Sequence, residues 1–431
     1  MKLNQLSDKD LSDLRNKILS HVPEASLLNK DLEIELLLEL FKRTSSVDND
    51  LWVRTIYSAD DIDAFSPLFS LNCEFLERRL SPGNLRHKIL LLGSKFGDFV
   101  SSQEFVYGVL DSLDRDIDVL LASKTKISPK YQSRFETFEE INAKKFLEIV
   151  GSEGIHGVVD LTGNNKELIR LISGEIAVLN PWGSMLPGEM ANVSIAWPEM
   201  AKYRRHWRGQ LLQAERTQMF LPPESTLRHF PTIERDANNQ TLRFGAFCRT
   251  SKLSLKVLTQ WSLALKRHPD STLSFAFIQS NPKSEAFIKG LFSKLGVNSN
   301  RISFLPRLGT QDYLGHLNSI HINLGAMPEQ GGISCMDSLV MGCPYIVCDD
   351  LSNTYTSSLI LSELGLDSWR ARSIDDYHQV LEQEIERISE TSSPTYRTFI
   401  RGKLLNSVLS DAKRTAGVWS NFFRLARERL C

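Results

Sequence analysis

Cysteine is scarce in this sequence of 431 residues: there are six, and none forms a C-x-x-C pair. That leaves neither the paired spacing of a disulfide framework nor the clustering, with neighbouring histidines, that a zinc site needs. Net charge is missing as well. The 51 Lys+Arg are offset by 52 Asp+Glu, so a chain-wide basic footprint for nucleic acid is excluded. No stretch approaches the ~18 uninterrupted apolar residues of a membrane-spanning helix. The first residues, Met1 to Asp8, lack the apolar core of a signal peptide. There is no low-complexity tract and no repeat at a period of about 20–50 residues. The expectation is a reduced, metal-free, cytoplasmic protein with no integral membrane segment and no nucleic-acid partner. What is present, 42% hydrophobic and 24% charged residues, suits a globular chain of two or three domains.

The pattern along the chain changes twice. In the first stretch Leu32, Ile34, Leu36, Leu37, Leu38, Leu40 and Phe41 are interleaved with Glu33, Glu35 and Glu39, as on an amphipathic helix. Ser81-Pro82-Gly83-Asn84 then breaks the chain. Beyond it, short apolar runs alternate with helix-length segments. Strands are predicted at 88–92, 116–122, 157–161 and 176–179, with helices at 103–113, 142–150 and 166–172 between them. A polar, Pro-containing stretch at 222–239 reads as a linker, after which the alternation restarts. The second set of strands falls at 242–247, 273–278, 302–305, 320–324 and 345–348, with helices at 255–267, 285–295, 311–318 and 334–341. Such alternation predicts parallel sheets with crossover helices. The expected organisation is a helical region over 1–82, Rossmann-like domains over 83–235 and 236–395, and helices over 396–431. Two α/β halves joined by a linker match the GT-B plan, with the domains facing a cleft.

Two segments carry chemistry. Gly325–Gly342 (GAMPEQGGISCMDSLVMG) turns from a strand through Gly331-Gly332 into a helix, where backbone N–H groups and the helix dipole favour an anion. Ser334 and Asp337 resemble a capping box there, and Asp337 is placed to accept from a ribose hydroxyl. The plain alternative is an ordinary capped helix. Phe244–Leu253 (FGAFCRTSKL) runs from a strand into a loop with Arg249, Ser251 and Lys252, at the strand end where α/β sheets bind ligands. Lys252 can neutralise a phosphate there, or be no more than a solvated lysine at a helix start. Asp116-Ile117-Asp118 and Asp61-Ile62-Asp63 are D-x-D tripeptides that would suit a cation bridging a diphosphate, a rival design. The run from Tyr203 to Arg208 is aromatic and basic, and reads as a helix face with packed Arg stems.

Together these segments resemble the catalytic region of the protein O-GlcNAc transferases, the plant-type protein O-fucosyltransferases and the bacterial cytoplasmic adhesin N-glycosyltransferases. The family's F-x-x-x-x-K-[IL] element is matched by Phe247–Leu253 and its N-G-x-T-T-x-x-D element by Gln330–Asp337. Its D-x-L-x-x-G-x-P continues through Leu339, Gly342 and Pro344. The L-x-x-L-G-L…Y trailer is matched by Leu361–Leu366 and Tyr377. The first half agrees more loosely, through Phe96-Gly97-Asp98 and through Gly154-Ile155-His156 before Val158–Gly163. The resemblance covers roughly 86–430, without tetratricopeptide repeats. Phe99, Ile333 and Tyr355 depart from the family pattern.

What the resemblance implies is an inverting, metal-independent hexosyl- or N-acetylhexosaminyltransferase with no cofactor. It would move one sugar from a nucleoside diphosphate, UDP favoured, to a protein side chain, an adhesin or other surface protein among the acceptors. Arg249, Lys252, Tyr313, Gly331, Gly332, Ile333, Ser334 and Asp337 would hold the nucleotide-sugar, with Tyr313 on the base. Phe96, Gly97, Asp98 and His156 would face the acceptor, with His156, or less readily Asp160, orienting or deprotonating it. Residues 1–82 would replace an acceptor-reading repeat or brace the first α/β half. Two alternatives stand beside this. One is a non-catalytic subunit binding an acceptor for an active partner, and the other is a GT-B enzyme acting on a saccharide.

Overall fold

Runs of Val, Ile and Leu without polar alternation suit strands covered on both faces. The computed structural model bears this out at Gly157–Asp160, Ala177–Asn180 and Tyr345–Cys348, buried along their whole length. It describes residues 3–21, 26–44, 47–56, 59, 62–69, 74–75, 86–93, 108–161, 165–172, 175–181, 191, 193–200, 210–217, 241–249, 252–276, 282–306, 308–390 and 393–428. Helices α1 (Asp8–Leu19), α2 (Ser26–Thr44) and α3 (Asn49–Thr55) come first. Strands β1 (Glu74–Phe75), β2 (His87–Gly93), β3 (Ile117–Ser123) and β4 (Glu136–Phe138) precede helix α4 (Ala143–Ser152). Then follow β5 (Gly157–Asp160), α5 (Lys166–Leu171), β6 (Ala177–Asn180), β7 (Val193–Ala196) and β8 (Gln210–Gln213). The second series begins with β9 (Arg243–Ala246), α6 (Leu255–Arg267), β10 (Thr272–Ala276), α7 (Pro282–Lys294), β11 (Ile302–Leu305) and α8 (Thr310–Ser319). It continues with β12 (Ile322–Leu324), α9 (Ile333–Val340), β13 (Tyr345–Cys348), α10 (Thr356–Glu363), β14 (Arg370–Ala371), α11 (Ile374–Glu390) and α12 (Ser393–Leu405). Helix α13 (Ala412–Glu428) is last.

The chain divides into two compact units. One comprises Met1–Leu68, Glu199–Tyr203 and Glu224–Ser410, the other Phe69–Pro198, Arg204–Pro223 and Asp411–Cys431. In the unit built on 224–410, the described strands order as β11-β10-β9-β12-β13-β14, all parallel. Counted from β9 that is the 3-2-1-4-5-6 order of a doubly wound sheet, whose ligand crevice lies at the carboxyl ends of β9 and β12, where the winding reverses. Helix α6 covers this sheet with Val257, Leu258, Trp261, Ala264 and Leu265, one face of a 3.6-residue period. Ser254 caps it, accepting from the Val257 N–H at 3.3 Å.

The N-terminal helices group with this unit, which does not suit the second of their two expected roles, a brace on the first α/β half. A specific bond ties them in: the Asn353 side-chain amide donates to the Ala59 carbonyl at 2.6 Å. The expected linker at 222–239 lies outside the described residues.

In the other unit the described strands order as β1-β8-β7-β6-β5-β2-β3-β4, again parallel, and the winding reverses between β2 and β5. Helix α13 covers this sheet by burying Ala416, Trp419, Phe422, Phe423 and Ala426. Gly157 lets it come close, because a Cβ there would stand 2.9 Å from that of Ala426. Arg424 fixes the helix by donating to Asp114 at 2.6 Å and to Asp116 at 2.7 and 2.8 Å. Among the described residues, no helix is long and apolar enough to cross a membrane.

Candidate functional site

The winding reversal at β9 and β12 gathers both chemistry-bearing segments. In the β9 loop the Lys252 N–H donates to the Arg249 carbonyl at 3.0 Å, closing a turn that leaves Arg249 exposed and Lys252 half-buried. Ser251 lies outside the described residues. The Lys252 ammonium pairs with the Glu329 carboxylate, supplied by the loop after β12. Cys248 precedes Arg249 in the same loop. Burial pushes its thiol up to about 12, so it is no nucleophile at neutral pH.

Helix α9 begins one residue before Ser334. Its N-cap is Gly332, and no side chain caps it. The expected capping box from Ser334 to Asp337 is therefore not formed. Ser334 sits in the first turn with its Oγ 3.4 Å from the Tyr345 hydroxyl, and Asp337 turns to the hydroxyl of Tyr313. Burial raises the Asp337 carboxyl to about 7 against the pull of that hydrogen bond. Tyr313, on α8, also meets Phe247 edge-on, with ring centroids 5.5 Å apart. Gly331 is required by close approach, since a Cβ would run into Ser334 Oγ and come within 2.9 Å of the Tyr345 hydroxyl. Ile333 opens the helix. Its apolar side chain offers a phosphate nothing, but its backbone N–H lies in the uncapped turn.

Behind the turn is a buried polar lattice that the sequence reading did not foresee. The Gln330 N–H donates to Thr354 Oγ1 at 2.9 Å, and its side-chain amide donates to Ser352 and Ser358 at 3.0 and 2.8 Å while accepting from the Ser358 N–H at 2.8 Å. Ser358 donates on to Asp349 at 2.7 Å, and Arg370 holds that carboxylate at 2.7 and 2.8 Å. Ser357 donates to the Gly331 carbonyl, joining the start of α10 to the turn before α9. The Ser/Thr-rich run from Ser352 to Ser358, following a strand, was the available signal. Part of the family pattern is helix termination. Gly342 (φ 64°) and Gly365 (φ 62°) end α9 and α10, with the Cys343 and Leu366 N–H groups donating to Ser338 and Leu361 carbonyls at 2.8 Å.

The acceptor-side expectations fare differently. Asp160 stands at the carboxyl end of β5, beside the reversal of its sheet, where it accepts from the Asn165 N–H and side-chain amide at 2.8 and 2.9 Å. His156 precedes β5 and so lies at the opposite, amino edge. Its Nδ1 accepts from the Lys88 N–H at 3.0 Å, while its own N–H donates to the Lys88 carbonyl at 2.9 Å. His321, before β12, makes the same pair of bonds with Arg243, at 3.0 and 2.8 Å. His156 thus clips two strands together at the amino edge, opposite the edge where such sheets bind ligands. Phe96, Gly97 and Asp98 lie outside the described residues, as do Phe99 and the run from Tyr203 to Arg208. The D-x-D rival is weakened, because Asp116 is held by Arg424 and Asp118 by Arg86 at 3.2 Å.

No family model matches the chain. Curated relatives are the probable UDP-N-acetylglucosamine–peptide N-acetylglucosaminyltransferases SPINDLY of Arabidopsis thaliana and Hordeum vulgare. The first is 27% identical over 149 residues (33% of this chain, 16% of that protein), the second 23% over 225 residues (48% and 23%). The chain thus spans under a quarter of either relative's length. Among solved structures, a variant of the Thermobaculum terrenum O-GlcNAc transferase superposes with a TM-score of 0.70 at 16% identity, covering 94% of this chain and 83% of that one. The chain has the GT-B fold of the glycosyltransferases. A second GT-B structure, the lipopolysaccharide outer core galactosyltransferase WaaB, superposes at 0.50 with 12% identity, covering 78% of this chain and 99% of that one. Lys252, Tyr313 and Asp337 all belong to the unit built on 224–410.

Proposed function

We propose that this GT-B chain is a glycosyltransferase that moves a single sugar from a nucleoside diphosphate, UDP favoured, to a protein side chain, with inversion and without a metal ion. The observation that carries the reading is the arrangement at the β9–β12 reversal: one lysine from the loop after β9, paired with Glu329 of the loop that leads into a helix whose N-cap is a glycine. A diphosphate supplies more negative charge and more acceptor oxygens than that single carboxylate. The α9 N-terminus offers backbone donors and about half a positive charge, and Lys252 adds a full one. These charges are fixed before reaction, so they stabilise the departing diphosphate without a bridging cation.

Further along, Asp337 accepts from the ribose hydroxyls, and Tyr313, braced on Phe247, offers its ring to the base. Arg249, exposed at the loop's edge, meets the nucleotide's outer side. The UDP preference and the protein acceptor follow the activity for which the SPINDLY relatives are named, and inversion follows the sequence resemblance. A surface adhesin remains one acceptor of the right class. On the acceptor side, Asp160 shapes the loop after β5, and His156 is given no chemical role.

Lys252→Ala should lower sugar transfer to a protein acceptor at least hundredfold, with the melting temperature kept within a few degrees. Release of UDP by the purified chain with acceptor supplied is the readout. Full activity in that variant would sink the site assignment, and loss of wild-type activity with EDTA would favour a metal-bridged diphosphate instead.

A further inference from the structure

Lys252 already has an anion. The Glu329 carboxylate sits on its ammonium, and the two side chains are 17% and 21% exposed, so the pair is largely shielded from water. The backbone on each side of Glu329 is pinned. The Pro328 carbonyl accepts from the Asn353 N–H at 2.7 Å, and Gln330 is held by its four bonds to Thr354, Ser352 and Ser358. The carboxylate cannot be carried away by a loop movement without breaking that lattice. It leaves Lys252 only by rotating its own side chain.

We propose that Glu329 is a tethered competitor for the diphosphate, one that keeps Lys252 occupied until an anion able to displace it arrives. This rests on Lys252 being the diphosphate lysine. A diphosphate brings more than one negative charge, and it engages the α9 N-terminus as well as the lysine, so it displaces a single carboxylate. Inorganic phosphate or a nucleoside monophosphate has less charge and reaches fewer of the donors, and loses that competition. Glu329 thereby lowers, by one common factor, the affinity for every anion that must displace it, so that only anions with strong contacts of their own occupy the site.

The test is calorimetric titration of UDP, UMP and inorganic phosphate into wild type, Glu329→Gln, Glu329→Ala and Lys252→Ala, each checked for an unchanged melting profile. Both Glu329 variants should bind UDP about tenfold more tightly, the worth of one charge-assisted hydrogen bond. UMP and phosphate should gain by the same factor where they reach Lys252 and nothing where they do not, so the UDP/UMP affinity ratio does not fall. UDP affinity unchanged within twofold, or weakened, in both Glu329 variants overturns the proposal, provided Lys252→Ala loses UDP. If Lys252→Ala binds UDP as wild type does, or wild type does not bind it at all, the diphosphate reading itself fails. In the double variant Lys252→Ala/Glu329→Gln the gain should vanish; a gain that persists means that Glu329 acts elsewhere than on Lys252.

Discussion

Replacing Asp337 by Asn should make the ligand-free protein more stable and at the same time weaken its hold on a nucleotide. Burial raises this carboxyl from 3.8 to about 7, against the lowering effect of the Tyr313 hydroxyl. In the unfolded chain the group ionises near 3.8, so between that pH and 7 the native state holds a proton that the unfolded state has lost. Stability therefore falls as pH rises through this window; the stabilisation is complete below it and gone above it. About three pH units at ~1.4 kcal/mol each give a ceiling of about 4 kcal/mol, of which roughly 3 develops between pH 5 and pH 8. Asn carries no charge to desolvate, so the variant escapes this slope, while other titrating groups cancel in the comparison. At ~2–4 °C per kcal/mol for a unit of this size, the variant's advantage in melting temperature should widen by roughly 5–10 °C between pH 5 and pH 8. Thermal melts of both proteins at matched ionic strength measure it. A gap that stays constant within a degree refutes the reasoning. Ribose hydroxyls favour the ionised form, so UDP binding near pH 7 should also expel up to about half a proton, seen by calorimetry in buffers of different ionisation enthalpy. Asp337→Asn should abolish that release.

Arg424→Ala should cost the unit carrying α13 roughly 3 kcal/mol, because it leaves two carboxylates facing each other beneath the helix, one of them half exposed. Hydrogen exchange of the α13 amides reads the loss. The hydrogen bond from Arg424 lowers the Asp116 pKa below 3.8, so this contribution persists above that pH and disappears as acid titrates the group, a dependence the variant should not have. His156→Ala should leave sugar transfer within about threefold of wild type and lower stability by ~1–2 kcal/mol, since the Lys88 N–H loses its acceptor. A hundredfold loss of turnover in a folded variant would return His156 to the chemistry.

The central strands were legible because they are apolar on both faces. Tyr345–Cys348 falls where the sequence puts it, as does the edge strand Ile302–Leu305, and the other predicted strands lie within a residue or two; the buried β7 (Val193–Ala196) was missed. Two others were not: β4 (Glu-Thr-Phe), at the sheet edge, and β8 (Gln-Leu-Leu-Gln), between β1 and β7, are too polar or too short to announce themselves. Lys252, Tyr313 and Asp337 were found because a loop at a strand end and a glycine-led helix leave local marks. Glu329 left none, since its importance is a pairing with a residue far back in the chain. The capping-box misreading arose because Ser334 and Asp337 have the right spacing while Gly331-Gly332 fixes the helix start earlier. His156 was drawn toward chemistry by its motif. The counter-signal was present in the sequence, as both His156 and His321 stand just before a β-strand of their sheet.

Those two histidines have a further consequence. Each clip joins the two strands between which the winding of its sheet reverses, β2 with β5 and β9 with β12, and each does so at the amino edge. That seam is where a doubly wound sheet parts most readily at its carboxyl edge, because the crossovers leave in opposite directions. A seam stitched at one end behaves like the spine of a book. The pages can stand ajar at the open edge, leaving it free for loops such as those of Lys252 and Glu329, while the binding holds the order of the leaves.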